Sequence, residues 1–435
     1  MNPSRYNVVA AGPDGETLLY NTANGSFAAL SPEAAAACQR GTCPDEKLAQ
    51  AGFFTELSPE EELEQVRERH RAQRTSADEL ALTIAPTYAC NFKCPYCYEA
   101  HHDTSKRIMS REVLDAICTF VEQRFAQAPF GRLYVEWYGG DPSLCLDIVR
   151  DFSQRLIAFA EANDVFYDAM MLTNCNLIDA AAVELLAGAR VSEVFVTIDG
   201  LEDEHNKRRV SATGSNSYAK NIEAIRLLTA RGIRVTANMN VDKVNIKQLP
   251  EVRKMLREQF GIEMVTEQLN DYGHFFGQGA FCAPDFELFT HDEYAQAIHD
   301  EQKASGLLTP ENLRAMLQPV PNFCRGQVES YFVIDAFGDV YTCDGWMGDK
   351  RHRICNILDA SDGIERHLHE VVFDATLDEK CSACELLPVC QGSCFWERSC
   401  NDDFPCHPLK HTIGAYLRDW RDTFGKLEGA VQVLA

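Results

Sequence analysis

Between residues 82 and 267 the chain repeats one rhythm six times, a short strand-like run followed by a segment of helical periodicity, and few architectures accept it. The runs are Leu82–Ala85, Leu133–Trp137, Ala169–Leu172, Glu193–Ile198, Arg234–Asn238 and Glu263–Glu267. Strands separated by amphipathic helices do not pair as tight hairpins, so the pattern predicts parallel β/α units. The helix after the first run is the most sharply marked: Ser110 caps it, and Val113, Leu114, Ile117, Val121 and Phe125 share one apolar face. Ahead of this block, Tyr6–Ala10 and Thr17–Tyr20 read as strands, with turns at Gly12-Pro13-Asp14-Gly15 and Asn24-Gly25. A helix starts at Ser31-Pro32, and Gly52-Phe53-Phe54 is a candidate wing strand. Ser58-Pro59-Glu60-Glu61 has capping-box spacing for a charged linker helix running towards Arg74. From about Cys282 onward the pattern breaks into short Gly-, Pro- and Cys-rich pieces of the kind organised around metal.

A net charge of -24 would repel a phosphate backbone, and no basic stripe with interleaved aromatics offsets it, so nucleic acid is not an expected partner. No run of about 18 or more apolar residues offers a membrane span. Met1 to Gly12 lack the basic-then-apolar plan of an export signal, which leads us to expect cytoplasmic residence. In that compartment the 18 cysteines are better read as metal ligands than as disulfides. Their placement agrees, since Cys90, Cys94 and Cys97 lie within eight residues and nine more fall between Cys324 and Cys406.

Cys90, Cys94 and Cys97 form C-x3-C-x2-C directly after the first strand, on a loop at a strand's C-terminal end, where barrel active sites lie. Three thiolates on a four-iron cluster leave one iron open for a chelating ligand. As Cys90-Asn91-Phe92-Lys93-Cys94-Pro95-Tyr96-Cys97 the motif resembles the signature of the radical SAM superfamily. The resemblance implies a partial (β/α)6 TIM-type barrel, a 4Fe-4S cluster on these three cysteines and S-adenosylmethionine on the open iron. Further motifs follow in order at the ends of expected strands. Gly139-Gly140-Asp141-Pro142 is similar to the family's Gly-Gly-Glu-Pro, whose backbone groups bind the methionine amino group; Asp141 replaces the usual Glu. Thr173-Asn174 and Thr197-Ile198-Asp199-Gly200, with His205 and Arg209 after them, resemble the positions that contact ribose and carboxylate. Tyr96 is similar to the aromatic residue that packs on adenine.

Cys324, Cys343, Cys381, Cys384, Cys390, Cys394 and Cys406 resemble the SPASM pattern of the same superfamily. The resemblance implies two auxiliary 4Fe-4S clusters, making three in all. Cys324, Cys343 and Cys394 would serve the first, and Cys381, Cys384, Cys390 and Cys406 the second, with Cys400 a spare thiol. The eighth cysteine of sulfatase maturases is missing from Arg325–Ser330, leaving Cys355 or a substrate thiol as fourth ligand of the first cluster. Asp344 stands where those maturases carry a general base.

The resemblance divides the chain into a winged-helix-like unit that recognises a leader peptide (1–57), a helical linker (58–80), a radical SAM partial barrel (81–281) and a SPASM domain (282–435). The expected activity is that of a peptide maturase. A 5'-deoxyadenosyl radical would abstract a hydrogen from a precursor peptide, and a thioether or carbon–carbon crosslink would follow. A flavodoxin- or ferredoxin-type protein would supply the electron. The alternatives are sulfatase-maturase-like oxidation of Cys or Ser to formylglycine and, in another class, a metal-stabilised binding or electron-transfer protein.

Overall fold

The computed structural model describes residues 1–101, 107–270, 286–359, 373–400, 406–424 and 429–434. Cys282 and the expected boundary at 281/282 fall outside them. The chain divides into two compact units that do not follow sequence order: Met1–Thr75, Thr290–Val328 and Phe373–Ala435 form one, Ser76–Phe289 and Glu329–Val372 the other. Among the described residues no helix is long and apolar enough to cross a membrane.

In the first unit, β1 (Asn7–Ala11), β2 (Thr17–Asn21) and β3 (Ser26–Leu30) form an antiparallel meander, and a fourth strand, Val431–Leu434, pairs with β3. Helix α1 (Pro32–Gln39) begins as expected, the Ser31 hydroxyl accepting the Ala34 N–H at 3.3 Å. Helix α2 (Pro59–Arg74) carries the full capping box, Ser58 N–H to Glu61 Oε2 at 2.7 Å and Glu61 N–H to Ser58 Oγ at 3.3 Å. The wing strand is placed differently from expectation. Phe54–Thr55 pairs with Asn2–Pro3 in a separate two-stranded piece, because Phe53 and Phe54 are drawn into the apolar cluster under α1 with Leu48 and Ala34. Phe27, Leu18 and Tyr20 build the opposite face of the sheet against Trp420, Tyr416 and Leu417 of the helix Leu409–Asp422.

The second unit holds the expected alternation. Strands β4 (Glu79–Ile84), β5 (Arg132–Trp137), β6 (Phe166–Leu172), β7 (Val191–Thr197), β8 (Arg234–Val241) and β9 (Met264–Gln268) are parallel and adjacent in sequence order. Helices connect them, the β/α succession of a partial barrel. The first, α3 (Arg111–Gln127), has Ser110 as cap and buries Val113, Leu114, Ile117, Phe120 and Val121; Phe125 is half-buried against Phe130 and Phe159. On the other side of β4 the sheet continues with β10 (Tyr331–Ile334), parallel to β4, then antiparallel β11 (Asp339–Tyr341) and β12 (Cys355–Asn356). Residues 329–359, expected to belong to the cysteine-rich region, thus extend the barrel sheet.

Candidate active site

The loop after β4 that carries Cys90, Cys94 and Cys97 is held from two sides. The Gly140 N–H donates to Thr87 O at 3.1 Å and the Asp141 N–H to Ala89 O at 2.9 Å. A Cβ on Gly140 would lie 2.4 Å from the carbonyl oxygens of Tyr88 and Ala89; one on Gly139, where φ is +101°, would lie 2.5 Å from Thr87 O. The Gly-Gly pair is therefore required by the close approach of two backbones. From the far side, the Lys93 N–H donates to Val210 O at 2.7 Å and the Ala212 N–H to Asn91 O at 2.8 Å. Phe92 bridges to Ser211 between them.

The loop brings its three thiols into one electrostatic neighbourhood. Burial pushes Cys97 up to about 12 and raises Cys94, so these two thiols hold their protons until a metal displaces them, while Cys90 is exposed to solvent. The Cys90 sulfur accepts from the Phe92 N–H at 3.4 Å and from Asn174 Nδ2 at 3.7 Å, dipoles that favour a thiolate. Among the described residues no three His, Cys, Asp or Glu side chains converge on a single ion. The donor set fits a polynuclear cluster, in which each thiolate takes a different iron.

Asn174 also donates to Asn91 Oδ1 at 2.6 Å, and Asp141 fixes where Asn174 stands. The buried Asp141 carboxylate accepts the Ser143 N–H at 2.8 Å, the Thr173 hydroxyl at 2.9 Å and the Asn174 N–H at 2.9 Å. It ties the Gly-Gly turn to the end of β6 and presents no free carboxylate. At the ends of β7 and β8, Tyr96, Asp199 and Arg209 meet. The Tyr96 hydroxyl donates to Asp199 Oδ2, Arg209 Nη1 donates to the Tyr96 oxygen at 3.3 Å, and Asp199 Oδ1 accepts the Asn240 N–H at 2.9 Å. Burial raises the Asp199 carboxyl while the Arg209 charge opposes it. His205 Nδ1 accepts the Asp199 N–H at 3.2 Å, and burial lowers His205 to about 3, so it is a neutral buttress. The Thr197 carbonyl accepts from Asn221 Nδ2 at 3.1 Å.

Sequence reasoning missed the neighbours of Asp344. Burial raises Asp344, and the Tyr138 hydroxyl donates to it; Tyr138 in turn shares a hydrogen bond with Tyr98. Glu99, buried beside them, is pushed up to about 8 by desolvation and then by the Asp344 and Asp141 charges. Tyr98-Glu99 follow Cys97 and Tyr138 precedes Gly139, so adjacency to the motifs was the available signal.

In the first unit, Cys390 lies in the electrostatic neighbourhood of Cys384 and Cys406, Cys381 in that of Cys390, and Cys394 in that of Cys324. Burial raises Cys390 to about 11 and Cys381 and Cys394 to about 12. Arg398 Nη2 stands 3.1 Å from the Cys381 sulfur, and Lys410 Nζ 3.5 Å from that of Cys384. Cys343 belongs to the second unit, as does Cys355 of β12, which pairs with Val340 of β11. The Cys400 side chain lies outside the described set.

Residues 84–256 match the model of the Radical SAM superfamily. The chain is an enzyme that carries a radical SAM domain over these residues, and that domain implies a 4Fe-4S cluster and S-adenosylmethionine as cofactors. Among characterised relatives, the cysteine-type anaerobic sulfatase-maturating enzyme of Clostridium novyi is 24% identical over 346 residues, 75% of this chain and 90% of the relative. The structure resembles native anSMEcpe with bound AdoMet and Kp18Cys peptide, with a TM-score of 0.60 at 20% identity, over 79% of this chain and 99% of that one. It also resembles Streptococcus suis SuiB bound to precursor peptide SuiA, with a TM-score of 0.50 at 14% identity, over 92% of this chain and 97% of that one.

Proposed function

We propose that the protein is a radical SAM peptide maturase that crosslinks a ribosomally made precursor peptide. The observation that carries this reading is the antiparallel β1–β3 sheet with capped α1, set ahead of the domain. An antiparallel sheet beside a helix suits capture of an extended leader by strand addition. The fold shared with SuiB over 92% of this chain supports the reading.

In this reading Cys90, Cys94 and Cys97 hold the first cluster, and Tyr96, Gly139, Gly140, Asn174, Thr197, Asp199 and Arg209 line the cofactor's place, with Asp141 positioning them. When bound, cluster and S-adenosylmethionine supply a 5'-deoxyadenosyl radical after one-electron reduction by a flavodoxin- or ferredoxin-type donor. Cys381, Cys384, Cys390 and Cys406 would hold an auxiliary cluster, a reading supported by the neighbourhood of these four thiols. Cys324 and Cys394 would serve another. Asp344, beside Tyr138 and Glu99, accepts the substrate proton. A second reading, oxidation of Cys or Ser to formylglycine, is favoured by the Cys343-Asp344 pair and by the sulfatase-maturating relative.

The test is anaerobic incubation with S-adenosylmethionine, dithionite and either a Cys-bearing precursor peptide or a sulfatase-derived peptide, read by mass spectrometry. Loss of two hydrogens with a crosslink in the fragment spectrum is expected from the precursor peptide. An aldehyde on the sulfatase peptide alone would replace this reading by the second. Asp344→Asn is expected to abolish product while leaving S-adenosylmethionine cleavage measurable.

A further inference from the structure

A sheet edge presents unpaired N–H and C=O groups in a row, and an extended segment of almost any sequence can satisfy them. In the first unit the edge of β3 is filled by the chain itself. The strand Val431–Leu434 (β13) runs antiparallel to it with Val431 opposite Leu30, Gln432 opposite Ala29, Val433 opposite Ala28 and Leu434 opposite Phe27. The Ser31 N–H extends the ladder by donating to Ala430 O at 2.9 Å. We propose that the β3 edge is a peptide-docking edge held closed by β13, and that an extended segment of the peptide substrate docks by taking the place of β13.

The seat on β3 is shaped for side chains on both faces. Val431 enters the apolar cluster formed with Leu30, Ala34, Leu48 and Phe53, and Leu434 enters the opposite cluster with Phe27 and Trp420. An incoming strand would thus be read by one apolar side chain above the sheet and one below it. On the opposite edge strand, β1, Val9 is 62% exposed. β13 is also built lightly. It has four residues, of which Gln432 and Val433 are only half-buried, whereas β3 is paired with β2 along its whole length of five residues. A short edge strand anchored by two side chains is the kind of element that opens locally, ahead of the sheet it borders. Displacement exchanges its backbone bonds for equivalent ones, so the difference in side-chain fit decides which strand remains.

The edge stands on the register and packing alone; naming the incoming strand as part of the peptide substrate rests on the maturase reading. The probe is a fluorescein-labelled hexapeptide, Gly-Ala-Val-Gln-Val-Leu, the sequence of residues 429–434. A variant of the full chain lacking residues 429–435 is expected to bind it saturably by fluorescence anisotropy, and the intact chain at least tenfold more weakly. No binding by the variant, equal binding by both, or a variant that has lost its cooperative melt each overturns the proposal. In the intact chain, amide hydrogens of Val431–Leu434 are expected to exchange at least tenfold faster than those of Leu18–Tyr20. Equal protection would show that β13 opens only with the whole sheet, and would overturn it as well. Hexapeptide binding without crosslinking of any precursor peptide would leave the docking edge standing and remove the maturase reading instead.

Discussion

A single methyl group is enough to test the cofactor loop. On Gly140 it would meet two carbonyl oxygens at 2.4 Å, and neither belongs to a side chain that can turn away. Overpacking against fixed atoms costs about 1–3 kcal/mol, and here the accommodation falls on the Asp141 N–H to Ala89 O bond that latches the loop. Gly140→Ala is therefore expected to slow formation of 5'-deoxyadenosine by about tenfold or more with dithionite as reductant; an unchanged rate would show that the latch does not matter. His205 gives a pH signature. Burial lowers it to about 3, so between its unfolded value, about 6.5, and about pH 3 the unfolded chain binds a proton that the folded one does not. Stability falls as pH drops through this window, by up to about 1.4 kcal/mol per pH unit from this group. Denaturant melts at pH 7 and pH 5 are expected to show a smaller loss for His205→Gln than for the natural chain. Both residues lie in motifs visible in the sequence, but the reason each is needed is a contact with a distant segment.

At the scale of elements, the six parallel strands were legible from their apolar runs, and most of their starts were not. β4 begins at Glu79 and β5 at Arg132, ahead of the expected starts at Leu82 and Leu133. Glu79 and Arg132 are strand residues because Arg132 bonds Glu79 at 2.6 Å and Asp168 at 2.9 Å, across to both neighbouring strands. The short helix α4 (Glu202–Arg208) follows β7. In the fold it delivers Arg208 to a buried pair with Asp242, at 2.9 Å, and to Glu204 at 2.6 Å. Removing one partner of such a pair strands the other charge, at a cost of about 3–5 kcal/mol. Arg208→Met is expected to lose that much stability in a denaturant titration, and Arg208→Met with Asp242→Leu to regain a good part of it. A double variant no more stable than the single one would show that packing, not charge, fixes this helix.

For the whole molecule, the three proposed clusters imply roughly 12 iron atoms per chain after anaerobic reconstitution. Replacing Cys90, Cys94 and Cys97 by Ala should leave about 8 and abolish S-adenosylmethionine cleavage. Zinc in place of iron would refute the cluster assignment. Removal of residues 1–57 is expected to reach further than peptide recognition. Phe27 stacks on Trp420 at 4.9 Å, and the same core contacts Cys384 and Cys390, so the deletion exposes the core that supports the C-terminal cysteines. Iron should fall towards about 4 per chain, one cluster, with cleavage retained; a deletion variant that keeps all its iron would make residues 1–57 separable after all.

The sequence by itself determined the alternating β/α block, the three-thiol loop and the glycines beside it, because local periodicity and the backbone demands of a tight approach are written in consecutive residues. The placing of Glu99 and Tyr138 beside Asp344 and the return of Val431–Leu434 to β3 were decided by tertiary structure alone. Each joins positions distant in the chain. What selects them is the burial of apolar surface and the satisfaction of backbone and charge, which depend on which elements pack together and leave no spacing to read.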